Sequence, residues 1–192
     1  MSLNPGRLVY WRLKLLGMGQ LVVGRQHSAL TTFSAMLACW PSDAYALSSR
    51  AHLLAQLGRR AEAIVDASAL TRAHPQRSAA DWFNLAYLLE AESRFDEAEA
   101  AFRSAVAIDP KLDRAWYGLG LVLIRKQRLD EAVQALKRNT ELQPMSPYGW
   151  YQLARVHIEQ QDPDSARKII VHLKGFEPKV AAQLERETGL SA

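Results

Sequence analysis

The sequence predicts an all-α protein built from five consecutive helical hairpins. Three observations carry this. Prolines fall at Pro41, Pro75, Pro110, Pro144 and Pro178, at intervals of 34, 35, 34 and 34 residues. Two positions within every interval are always Gly or Ala. In the first helix they are Gly17, Ala51, Ala86, Gly120 and Ala154, and in the second Ala29, Ala63, Ala98, Ala132 and Ala166. Two helices that cross closely need a small side chain on each, because interiors are packed near crystal density. Four residues after each second-helix Ala come Phe33, Ala67, Phe102, Leu136 and Ile170, on the same helical face and placed to fill the space behind the crossing.

The repeats that follow are 10–43, 44–77, 79–112, 113–146 and 147–180, with Ser78 as a single inserted residue. Residues 1–180 are expected to form the repeat domain and 181–192 a capping helix and tail. Asn4-Pro5 predicts the start of the first helix, because Asn caps well and Pro suits the first helical position. Gly24 and Gly58 are placed in the turns between paired helices. Asp96, Glu97, Asp130 and Glu131 are placed in the first turn of a second helix, where the helix dipole favours acids. Each late proline is expected to end a helix, since it cannot donate to the ladder. Past Pro178, Val180 and Leu184 are expected to face the fifth repeat, with Glu185, Arg186 and Glu187 toward water, as a solenoid cap requires.

The most regular copy, Trp116 to Pro144, identifies the family. Trp116, Leu119, Gly120, Ala132, Leu136 and Pro144 stand at the offsets of the tetratricopeptide repeat, which the sequence therefore resembles. The other four copies follow the same frame, with Leu13, Leu47, Trp82 and Trp150 in the Trp position, so the resemblance covers about nine tenths of the chain. It implies a right-handed α-α superhelix whose first helices line a concave groove, and a non-catalytic protein-interaction module that holds a peptide or a partner helix there. The groove residues it implies are Tyr45 and His52, Phe83, Asn84 and Tyr87, Arg114, Tyr117 and Leu121, and Tyr148, Tyr151 and Arg155. Tyr and Arg combine apolar area with a polar tip, so the expected partner has apolar and acidic side chains. Family members that clamp a C-terminal carboxylate use a Lys, Asn, Asn, Lys, Arg set. Repeats two to four keep only Asn84 and Arg114 of it, which argues against that subtype. A dedicated chaperone or assembly factor for one client, and an accessory subunit of an enzyme complex, are the alternative functions.

Composition narrows the field further. The chain is 48% apolar and 23% charged, as in ordinary globular domains. Its net charge of +4 is uneven: residues 1–78 hold 9 Lys/Arg against 3 Asp/Glu, and residues 79–192 hold 15 against 17. The basic charges are scattered, so nucleic acid is not an expected partner. A single cysteine, Cys39, permits no internal disulfide and suits the cytoplasm. Residues 8–23 are interrupted by Arg12 and Lys14 and fall short of a membrane span, so no membrane contact is expected. His27, His52, His74, His157 and His172 show no metal-ligand spacing, and no nucleotide-binding loop or nucleophile elbow occurs. Neither a cofactor, a metal nor a catalytic residue is expected.

Some positions depart from the pattern. Leu8, Val9, Tyr10, Trp11, Leu15, Met18, Leu21, Val22 and Val23 surround nearly the whole first helix. Such a helix packs on the second repeat, self-associates as a homodimer or docks a partner, with Trp11 and Leu15 as the test positions. Arg50 replaces a core Leu and either pairs with Asp66 on the facing helix or reaches water along its stem. Gln20, Asn139 and His157 also stand where an apolar residue is expected.

Overall fold

The computed structural model describes residues 5–191. Among them are eleven α-helices and no strand. The chain divides into two compact halves, Met1–Glu92 and Ser93–Ala192. The first contains α1 (Pro5–Val22), α2 (Gln26–Cys39), α3 (Ala44–Gln56), α4 (Arg60–Ala73) and α5 (Ala79–Ala91). The second contains α6 (Phe95–Ile108), α7 (Asp113–Arg125), α8 (Leu129–Leu142), α9 (Pro147–Glu159), α10 (Pro163–Lys174) and α11 (Pro178–Thr188). Within each half, consecutive helices pack against one another. Asn4, the expected cap of α1, lies outside the described residues.

All ten small-residue positions are buried. At two of them, Gly17 and Gly120, and at neighbouring Gly118, the reason is visible in atoms. A Cβ on Gly17 would come within 2.7 Å of the Phe33 ring, and one on Gly120 within 2.8 Å of Leu136. One on Gly118 would collide with Cζ of Phe102. These contacts belong to helix crossings that only a missing side chain permits.

The turn between paired helices repeats one backbone conformation five times. Gly24 and Gly58 have φ of 74° and 75°, and Ser93, Gln127 and Gln161 have φ of 58°, 58° and 60° at the same repeat position. The three later residues adopt the left-handed region without glycine's freedom, at a cost of about 1 kcal/mol each. Between repeats, the three tryptophans act as staples. Trp82, Trp116 and Trp150 donate Nε1–H to the carbonyls of Pro75, Pro110 and Pro144 at 2.8, 2.9 and 2.9 Å. Each bond ties a helix start to the loop before it. Asp43, Ser78 and Asp162 cap α3, α5 and α10 by accepting from backbone N–H groups.

Pro178 does not end α10 as expected. α10 stops at Lys174, and Pro178 instead opens α11 at its first turn, where its missing N–H is harmless. α11 buries Ala181 and Leu184. Glu185 does not simply face water but lies 2.9 Å from Lys174 Nζ.

The polar departures find partners, with one exception. Arg50 forms a bidentate pair with Asp66, Nε to Oδ2 and Nη2 to Oδ1 both at 2.7 Å, and donates a third bond to Ser34 Oγ at 3.1 Å. Gln20 Oε1 accepts from buried Thr32 at 2.8 Å. Asn139 donates to the Asp113 carbonyl at 2.9 Å, and its Oδ1 occupies the space beside Gly149. His157 is buried. Its Nδ1 lies 3.5 Å from Asp162 Oδ2 and makes no hydrogen bond among the described residues. Burial lowers its pKa, so it stays neutral near pH 7.

The second half also contains an ion cluster that the sequence pattern does not reveal. Glu99 of α6, 7% exposed, accepts from Lys126 at 2.7 Å, Arg103 at 2.9 Å and Arg128 at 2.7 Å. Burial alone would raise the Glu99 carboxyl. Hydrogen bonds from Lys126 and Arg103 and the charge of Arg128 overcome it and hold the group at about 2. A carboxyl depressed in the folded state stabilises above its ordinary value, near 4.5, and the stabilisation disappears as pH falls toward 2. The cations are themselves substantially exposed, so solvent screening limits the effect to about 1–2 kcal/mol. Urea unfolding should therefore find Glu99→Gln less stable than the natural chain by that amount at pH 7, with the gap closing between pH 4.5 and 2. A gap independent of pH would refute the assignment.

Candidate functional site

The residues expected in the groove fall on the first helices of their repeats, and each half presents its own group. In the first half Tyr45 is half-buried. Its ring meets Phe33 edge-on at 6.0 Å and is covered by Lys14 Nζ at 4.3 Å. It is therefore part of the packing. His52 is exposed, beside the Gln56 amide at 3.0 Å. Phe83 stacks on Tyr87 at 6.5 Å, and Tyr87 itself is 59% exposed, with exposed Asn84 next to the pair.

The second half gathers more chemistry. Arg114 is exposed on α7, and Leu121 is half-buried. Tyr117 and Tyr151 pack partly against the core formed by α8, α9, α10 and α11. On α9, Tyr148 is 70% exposed, the most exposed aromatic residue of the group. Arg155 is exposed and its guanidinium lies over the Tyr151 ring at 5.8 Å. Tyr151, Arg155, Ile158, Glu159, Glu187 and Thr188 line a cavity of about 380 Å³.

The capping helix supplies a part of this cavity that its polar sequence had pointed toward water. Tyr151 Oη donates to Glu187 Oε2 at 2.7 Å, and Gln183 Nε2 donates to Glu187 Oε1 at 2.8 Å. Hydrogen bonds from Gln183 and Tyr151 lower the Glu187 pKa, and the bond to Glu187 raises that of Tyr151. The repeat frame ends before α11, so no positional argument could have paired these residues. Glu187 is thus already satisfied, and exposed Arg155, which also faces Tyr151 and Glu187, is the cation of the cavity.

Trp11 and Leu15, the self-association positions, are 48% and 63% exposed on α1. A second depression, about 220 Å³, lies in the first half above the Arg50–Asp66 pair. Among the described residues no group of three His, Cys, Asp or Glu could hold a metal ion, and no helix is long and apolar enough to cross a membrane.

Comparison with known proteins matches this architecture. Two tetratricopeptide repeat models match the sequence, over residues 48–113 and 89–151. No curated protein matches it in sequence. Among solved structures, a crystal structure of MamA aligns with a TM-score of 0.80 at 18% identity, covering 96% of this chain and 97% of the other. MamA from Desulfovibrio magneticus RS-1, residues 41 to the end, aligns with a TM-score of 0.77 at 18% identity, covering 98% and 100%. YrrB, described as a TPR protein with an unusual peptide-binding site, aligns with a TM-score of 0.80 at 17% identity, covering 88% of each chain. At these identities the likenesses establish the fold.

Proposed function

The chain belongs to the tetratricopeptide repeat family, and from that premise we propose that it is a non-catalytic interaction module that holds a peptide or helix of a partner protein. The fold is an interaction scaffold in form: paired helices present one face of each first helix to solvent. We assign the ligand to that face in the second half. The observation that carries this is Tyr148, a tyrosine left 70% exposed on α9 one turn before Tyr151, which with Arg155 lines the cavity. An aromatic surface needs cations next to it to recognise a carboxylate; Arg155 lies over the Tyr151 ring, and Arg114 is exposed on α7. Tyr and Arg together favour a segment with apolar anchors and acidic neighbours. The likeness to YrrB, whose peptide-binding site is part of its description, supports the same reading.

Affinity purification from the native cell, comparing the natural chain with Tyr148→Ala/Arg155→Ala, tests it. Both positions are exposed, so the fold should survive, as circular dichroism can verify. The partners held by the natural chain should be lost from the variant. Recovery of the same partners in the same amounts would remove the assignment.

A further inference from the structure

Helix α1 leaves open a face that its counterparts bury. Helices α3, α5, α7 and α9 each lie against the helix before them, namely α2, α4, α6 and α8. At the repeat positions of Leu16 and Gly19, Leu85, Leu119 and Leu153 are 5%, 2% and 2% exposed, Arg50 of α3 lies between Ser34 of α2 and Asp66 of α4, and Leu53, Leu88, Val122 and Val156 are all buried. The residues of α1 at the same repeat positions are Leu16, 49% exposed, and Gly19, where a Cβ would meet nothing within 4 Å. Leu15 beside them is more exposed still. α1 is also longer, 18 residues against 13 in each of the other four, and its extra turn carries exposed Leu8 and Val9. A helix that acted only as a cap would show water a polar face, as α11 does with Lys179, Gln183 and Arg186.

The charges on the face choose among occupants. Arg12 stands where the sister helices have Ala46, Asp81, Ala115 and Gly149, and it is exposed. No acid precedes Asp43 in the sequence, and the Asp43 carboxylate already accepts from Tyr10 Oη at 3.1 Å and from the Ala46 amide at 2.8 Å. A second α1 docked on the first would set Arg12 against like charge with no acid from either helix to offset it. The form of the face is that of an interface which a helix covers four times in this chain. We propose that the open face of α1 (Leu8, Arg12, Leu15, Leu16, Gly19) docks one amphipathic helix of a partner protein, stacked as a preceding repeat's second helix would be and carrying a carboxylate opposite Arg12. These residues are distinct from those of the groove, so neither reading depends on the other.

The natural chain offers a probe. Asn139 of α8 fills the space beside Gly149, the α9 counterpart of Arg12. A stapled, fluorescently labelled peptide of residues 129–142 with Asn139→Asp therefore places a carboxylate where Arg12 would meet it. Fluorescence anisotropy with the full chain should show saturable binding, weakened about tenfold or more by Leu16→Glu and by Arg12→Glu. It should be unaffected by Tyr148→Ala/Arg155→Ala. The Arg12→Glu chain should instead take the peptide with Asn139→Lys. Absence of binding, or binding indifferent to both α1 variants, would overturn the proposal. So would a dimer by light scattering that Leu16→Glu dissolves, which would make a second copy the occupant. Sedimentation of the chain with phosphatidylserine-containing vesicles, abolished by the same substitution, would overturn it in favour of a lipid surface.

Discussion

Phe102→Ala should lower the unfolding free energy by about 3–5 kcal/mol. The ring is 1% exposed and lies over the bare backbone of Gly118, so its removal leaves a cavity between α6 and α7. The complementary substitution, Gly118→Ala, drives a methyl into the same ring. Overpacking costs about 1–3 kcal/mol, and the better helix propensity of Ala returns about 1, so a net loss of up to about 2 kcal/mol is expected. The two changes share one space, and in Phe102→Ala the new methyl has room. The double variant should therefore lose clearly less than the sum of the single losses in urea unfolding at constant slope. Additive losses would mean that the contact does not limit the crossing.

Asp66→Ala should cost about 2–3 kcal/mol. Breaking a buried ion pair from one side leaves the other charge uncompensated, at about 3–5 kcal/mol when fully buried. Here the Asp66 side chain is 4% exposed and that of Arg50 26%, so water recovers part of the loss. The fourth repeat shows the apolar solution to the same geometry, with Leu119 and Ala135 in the two places. Arg50→Leu/Asp66→Ala should therefore be neutral or more stable than the natural chain, well above the single variant. A double variant as unstable as Asp66→Ala would show that the pair has another role, for example in shaping the depression above it.

The residues that made the fold legible are those whose geometry admits few alternatives. A close helix crossing accepts only Gly or Ala, so ten such positions at a fixed period declared five hairpins, and all ten are buried. The turns were half legible. Gly24 and Gly58 marked theirs, but Ser93, Gln127 and Gln161 adopt the same left-handed backbone without the residue that would announce it. The Glu99 cluster was not legible, because it depends on the α7–α8 turn folding back over α6, which no helical periodicity encodes. The Arg50–Asp66 pair was legible as one of two outcomes, since a lone cation in a Leu position either pairs with an acid on the facing helix or reaches water along its stem.

The candidate site was legible in its face and not in its exposure. Helical spacing placed Tyr45, Tyr87, Tyr117 and Tyr148 alike on the first helices. Whether a neighbour covers each ring depends on side chains outside its own helix. Lys14 covers Tyr45 and the core claims part of Tyr117, while Tyr87 and Tyr148 stay open. Glu187 entered the cavity from a helix beyond the repeat frame.

The proposed binding surface is the open aromatic and cationic face of α7 and α9. A peptide selected from a randomised display library on the full chain, titrated by calorimetry against the natural chain and against Tyr148→Ala/Arg155→Ala, tests it directly. The expected result is an apolar and acidic consensus, with a loss of affinity of about tenfold or more in the variant. Equal dissociation constants for the two chains would contradict it.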